Sequence, residues 1–166
     1  MILILDCDIA STLAKIGRLD LLKRVFSNSE IYITNSVYIE LMSAKEAGFS
    51  FPEVIFNNIP VISMDNDDLK VFQDLSQKKF IHYGEAEGLC ICKNKGAIFM
   101  TNDSKVVRFC EDVGIDVLDL KDFLILVGLR KAVSSSEMNE LLQEIEEKDN
   151  TYIKDKAVVL EEFEVE

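Results

Sequence analysis

Short apolar runs alternate along this chain with longer stretches whose apolar positions recur at helical spacing. Met1 to Leu5 is continuous and apolar, the pattern of a strand buried on both faces. Asp8 to Ile16 and Leu19 to Phe26 predict helices parted by Gly17, and Ile31-Tyr32-Ile33 predicts a second strand. Thr34-Asn35-Ser36 offers capping oxygens to a helix from Val37 to Ala47, which Gly48 ends. Phe49 to Ile59, with Pro52 inside it and Pro60 after it, reads as an irregular link. Val61 to Ser63 then predicts a strand. Asp65 to Leu75 predicts a helix with acids in its first turn, where the dipole favours them.

After a polar connection from Gln77 to Tyr83, Gly84 to Lys95 predicts a helix closed by Gly96. Ala97 to Met100 and Ile115 to Leu118 predict strands, with helices over Asp103 to Val113 and Leu120 to Leu129. This βαβα rhythm predicts a three-layer α/β/α fold of Rossmann-like kind, with a central parallel sheet and helices on both faces. Ser134-Ser135-Ser136 before Glu137 predicts the cap of a further helix, Met138 to Lys148. Its Met138, Leu141, Leu142 and Ile145 make a narrow apolar stripe on a charged helix. Thr151 to Glu166 fits an added helix, an edge strand or a tail ordered by a partner. The expected organisation is a domain over residues 1–133 and an acidic helical extension over 134–166, packed on that domain or exchanged with a partner.

A chain of 166 residues is long enough for one domain with a substantial core. Its net charge of −12 changes the picture, because it argues against a tight nucleic-acid binder. The charge is unevenly spread: residues 137–166 hold 11 acids and 3 bases, whereas residues 1–136 hold 19 and 15. Cys7, Cys90, Cys92 and Cys110 form no C-x-x-C pair and read as buried, reduced thiols of a cytoplasmic protein. No apolar run approaches the ~20 residues that span a bilayer, and a chain starting on a strand leaves no room for a cleaved signal. The single histidine, His82, excludes a histidine-rich zinc site and reads as a loop residue rather than a catalytic base.

Four acids stand where such a fold would gather them. Asp6 ends the first apolar run and Asp103 follows Ala97 to Met100, while Glu40 and Glu85 fall in the first turns of the helices between. Carboxylates just beyond the C-terminal ends of parallel strands meet in the crevice where open α/β sheets bind ligands. A cluster of like charges persists when a cation neutralises it, and hard oxygen donors suit Mg²⁺ or Mn²⁺. Taken singly, each acid has an ordinary role: Asp6, Asp8 and Asp103 as helix caps, Glu40 and Glu87 on solvated faces. Their joint placement points to a metal site and to phosphoryl chemistry.

Four segments, in order, carry a family likeness: Ile4-Leu5-Asp6 with the helix after it, Thr34-Asn35-Ser36-Val37-Tyr38-Ile39-Glu40-Leu41, Gly84-Glu85-Ala86-Glu87-Gly88-Leu89, and Thr101-Asn102-Asp103. From Met1 to about Leu129 the chain resembles the PIN domain family of metal-dependent nucleases. The resemblance implies hydrolysis of RNA phosphodiester bonds with Mg²⁺ or Mn²⁺ and a catalytic set of Asp6, Glu40, Glu85 and Asp103. Asp6, Glu85 and Asp103 are then the expected direct ligands, Asp8 binds the metal or its water, and Glu40 acts through water. Thr101 is expected to hydrogen-bond a carboxylate or the attacking water, with Asn102 beside it. Lys105, Arg108, Lys15 and Arg18 are the expected phosphate contacts. Position 8 is often Asn or Ser in the family, and position 102 is acidic in some relatives, so Asn102 weakens a second metal site.

Small stand-alone relatives of VapC-like kind are commonly toxins of toxin–antitoxin pairs, which implies an endoribonuclease with an antitoxin partner and a homodimer through its helices. Two other readings compete. Asp6-Cys7-Asp8 has the D-x-D form of haloacid-dehalogenase-like phosphatases, a reading that gives Glu40 and Glu85 no role. A PIN-like interaction module without activity is the other, and the retention of all four acids argues against it.

Overall fold

The computed structural model of the chain describes residues 1–153 and 156–164. Strand β1 (Ile2–Leu5) lies at the centre of a five-stranded parallel sheet. β2 (Glu30–Thr34) and β3 (Val61–Ile62) extend it on one side, β4 (Ile98–Met100) and β5 (Val117–Leu118) on the other, in the order β3-β2-β1-β4-β5. The chain thus builds outward from β1 in one direction, then crosses back and builds in the other. The crevice between β1 and β4 is the point where the strand order reverses.

Side chains alternate along β1, so Leu3 and Leu5 face one layer and Ile4 the other. The first layer holds α1 (Cys7–Lys15), α2 (Asp20–Val25), α3 (Asn35–Glu46), α4 (Phe51–Asn58) and α8 (Leu120–Leu129). The second holds α5 (Asn66–Ser76), α6 (Tyr83–Lys95) and α7 (Ser104–Val113), packed on Ile4 and Phe99. The predicted three-layer α/β/α fold with its parallel sheet is the fold observed.

Two segments add to what the sequence predicts. The expected irregular link contains α4, whose Pro52 sits in the first turn, where its missing N–H costs nothing. Ile55 of that helix is fully buried. Of the alternatives for Thr151 to Glu166, the added helix is the one observed, as α10 (Lys156–Glu164); Lys154, Asp155, Val165 and Glu166 lie outside the described residues. The helix predicted from Met138 is α9 (Ser135–Asp149), capped by Ser134. Its stripe of Met138, Leu141, Leu142 and Ile145 is buried in the same core as α1 and α8. Among the described residues no helix is long and apolar enough to cross a membrane.

Candidate active site

Sheet register delivers the first two acids. Leu5 pairs with Met100, and the ladder runs one residue further: Asp6 N donates to Met100 O at 2.9 Å and Thr101 N to Leu118 O at 3.1 Å. Asp6 and Thr101 therefore leave the sheet side by side at the switch point. The Thr101 hydroxyl donates to Asp6 Oδ2 at 2.7 Å, and Cys7 N donates to Asp6 Oδ1 at 2.8 Å. Thr101 Oγ1 in turn accepts from Asp103 N at 3.3 Å, so one buried hydroxyl fixes both acids. Asp103 caps α7, its Oδ1 accepting from Lys105 N at 2.7 Å and Val106 N at 3.3 Å.

Helix starts deliver the other two. α6 begins after His82, and Glu85 Oε2 accepts from His82 N at 2.7 Å. α3 begins directly after β2, capped by Thr34, with Glu40 beyond its first turn. The two helices are tied together by Glu87, which accepts from Ser36 N at 2.7 Å and is 2% exposed. Glu87 is therefore no solvated face: the start of α3 covers it and supplies the N–H that holds it.

Asp6, Asp8, Glu40, Glu85 and Asp103 line one cavity of about 460 Å³, completed by Cys7, His82 and Gly84, and among the described residues no Lys or Arg shares that lining. The predicted acids are brought together: Asp6 caps α1, Asp103 caps α7 and Glu85 completes the capping box of α6, whereas Asp8, expected as a cap, lies inside the first turn of α1 and caps nothing. Electrostatics show the cost. Burial pushes the Asp6 carboxyl up to about 6 against its hydrogen bonds from Thr101 and Cys7, and the charges of Asp8 and Glu85 raise it further. Burial also raises Glu85, against the His82 N–H, with Asp103 and Asp8 adding like charge and the His82 imidazole opposing them. The Cys7 thiol is pushed up to about 12, by burial first and then by Glu40, which makes it an unreactive wall residue.

Among the described residues no three of these side chains already stand close enough to grip one ion; they ring the cavity instead. Glu85 Oε1 and Asp103 Oδ2 accept no hydrogen bond from the described residues. A lining of five carboxylates against a single imidazole, with oxygens to spare, suits a hard divalent cation.

The expected phosphate contacts divide into two pairs. Lys105 and Arg108 are exposed on α7 with no acidic partner among the described residues. Lys15 is held by Asp149 at 2.6 Å and Arg18 faces Asp20 at 3.7 Å. Asn102 is exposed beside Asp103. Sequence reasoning missed His82 and Cys7 as wall residues and Glu87 as a tie. The available signal for Glu87 was the polar start of α3, which needs acceptors for its free N–H groups.

The family model DUF3368, a PIN domain, matches residues 2–162. The chain belongs to the PIN domain family. That assignment takes Asp6-Cys7-Asp8 out of the phosphatase reading. No curated protein matches the sequence significantly. Among solved structures, this PIN domain is similar to a chain of the 2.2 Å structure of VapBC-1 from nontypeable Haemophilus influenzae. The TM-score is 0.57 at 17% identity, over 72% of this chain and 98% of that one. At that identity the likeness establishes a shared fold, and part of this PIN domain lies outside it.

Proposed function

We propose that this PIN domain is a divalent-metal-dependent endoribonuclease acting at the carboxylate cavity. The observation that carries the reading is the set of five acids around one cavity at the β1/β4 switch point, with His82 the one basic side chain among the described lining residues. Asp6, Glu85 and Asp103 would hold the ion, with Asp8 and Glu40 at its margin. A bound Mg²⁺ or Mn²⁺ would lower the pKa of an attacking water and neutralise charge on the phosphate in the transition state. Thr101 ties the Asp6 carboxylate to the Asp103 backbone, and Glu87 ties α6 to the start of α3. The bond from phosphorus to the leaving ribose oxygen breaks as the water oxygen bonds to phosphorus, and the proton ends on the leaving oxygen.

The deciding experiment is cleavage of a labelled single-stranded RNA with Mn²⁺ or Mg²⁺, with EDTA and with Asp6→Asn. Cutting that both controls abolish is the expected result. Metal-independent cutting, or cutting retained in Asp6→Asn, would refute the site. No cutting of any RNA would turn the assignment to an inactive interaction module.

The role of toxin in a toxin–antitoxin pair is supported by family membership and by the fold shared with VapBC-1. Tyr38 and Ile39 on α3, with Phe49 and Val54 nearby in sequence at α4, are exposed apolar side chains that suit a homodimer or an antitoxin. Growth arrest on expression of the wild type, absent with Asp6→Asn, is the expected outcome for a toxin.

A further inference from the structure

Two further cavities neighbour the acidic one through shared lining residues. The nearer, about 230 Å³, shares Asp8 with it and is walled by Thr12, Lys15, Asp149 and Thr151. The farther, about 390 Å³, shares Asn102 with the nearer and is lined in part by Arg108, Lys121 and Tyr152. Asp8 and Asn102 are thus the joints of one track leading away from the carboxylates.

The far end of the track carries two independent signals. Arg108 and Lys121 have no acidic partner within ion-pair distance among the described residues. Glu111 and Asp119 share the lining, and neither lies within ion-pair distance of Arg108 or Lys121; Asp119 caps α8, accepting from Asp122 N at 2.8 Å. Tyr152 is 79% exposed, yet the backbone on either side of it is pinned. Before it, Asn150 turns the chain at φ 55° and the Thr151 hydroxyl donates to Asp149 Oδ2 at 2.5 Å. Asp149 also accepts from Thr12 at 2.5 Å and from Lys15 at 2.6 Å, which ties this stretch to α1. After it, Ile153 is buried in the main core. The ring is therefore held out in water by a fixed support.

A solvent-facing aromatic beside cations is how single-stranded nucleic acids are bound: a base stacks on the ring and phosphates meet the cations. We propose that the far cavity is an RNA subsite in which Tyr152 stacks on an unpaired base and Arg108 and Lys121 contact the adjoining phosphates. The strand then passes Asn102 and Asp8 into the acidic cavity, a course that rests on the ribonuclease reading above. Bases in a duplex are covered by their neighbours, so the subsite takes a single strand.

The test uses the full chain and a short fluorescent single-stranded RNA with Mg²⁺. Binding is read by anisotropy on an Asp103→Asn background, so that the strand stays whole, and cleavage is read separately with the native acids. Tyr152→Ala is expected to weaken binding roughly 5- to 100-fold and to raise KM more than it lowers kcat, while Tyr152→Phe retains both. Arg108→Ala is expected to reduce the salt dependence of binding by about one phosphate contact. Wild-type binding in Tyr152→Ala, failure of Tyr152→Phe to restore it, equal affinity for a duplex, or no single-strand binding by the parent would each overturn the subsite. A surface serving a protein partner instead would leave every RNA readout unchanged in both variants, which also overturns it. Tyr152-dependent binding without cutting would uphold the subsite and remove the nuclease reading; cutting with an unchanged KM in Tyr152→Ala would do the reverse.

Discussion

Asp6 accepts hydrogen bonds on both oxygens, and its carboxyl is nevertheless pushed up to about 6 because burial outweighs them. In the unfolded chain the group has its ordinary value of 3.8. The metal-free folded protein thus holds this proton more tightly, and the Asp6 contribution to stability grows as pH falls through about 6 towards 3.8. At neutral pH the buried charge opposes folding by on the order of 3 kcal/mol. Asp6→Asn is therefore expected to abolish cutting while raising the melting temperature in EDTA at neutral pH. It should also flatten the rise in stability between neutral and mildly acid pH, as read by thermal denaturation. Added Mg²⁺ should raise the melting temperature of the wild type more than that of the variant. Thr101 tests the neighbouring requirement. Thr101→Val leaves a buried acid without its donor and should cost about 1–3 kcal/mol in a urea titration. It should also lower kcat about 10-fold or more, and Thr101→Ser should restore most of both.

At the scale of elements, the site depends on how closely α6 lies on the sheet. A Cβ at Gly88 would overlap the ring of Phe99, itself buried in β4, so only glycine lets the helix approach. Gly88→Ala is expected to destabilise the fold by about 1–3 kcal/mol through overpacking, measured as a lower denaturant midpoint, and Phe99→Leu should recover part of the loss. Much of this arrangement was legible in the sequence. Caps and strand ends are local signals, so α1, α3, α6 and α7 and the four acids could be found from Asp6, Thr34, Glu85 and Asp103. α4 was not, because Pro52 reads as a break until its place in a first turn is known. Glu87 was not, because the N–H groups that make its burial tolerable belong to a helix 51 residues away. The burial of any one acid is a tertiary fact.

At the scale of the molecule, Asp149 joins the end of α9 to the side of α1. Burial works against its charge, yet hydrogen bonds from Lys15, Thr12 and Thr151 hold its carboxyl below the ordinary range. Its stabilisation is present above the ordinary carboxylate pKa and is lost as pH falls through the lowered value, the opposite sense to Asp6. Asp149→Ala is expected to cost about 1–3 kcal/mol and to weaken single-stranded RNA binding, since Tyr152 loses one of its two anchors. Asp149→Asn should retain more of both. No periodicity announces this latch, because Thr12 and Asp149 are 137 residues apart and neither belongs to a motif.

The burial of Met138, Leu141, Leu142 and Ile145 against α1 and α8 has a consequence for biosynthesis. Chains fold as they are made, N-terminal parts first. Residues 1–133 therefore reach the tunnel mouth with the apolar sides of α1 and α8 bare, and their cover arrives only with the final helices. During that interval the nascent chain is a client for chaperones. A ribosome that stalls before α9 releases a product whose apolar face on α1 and α8 is never covered.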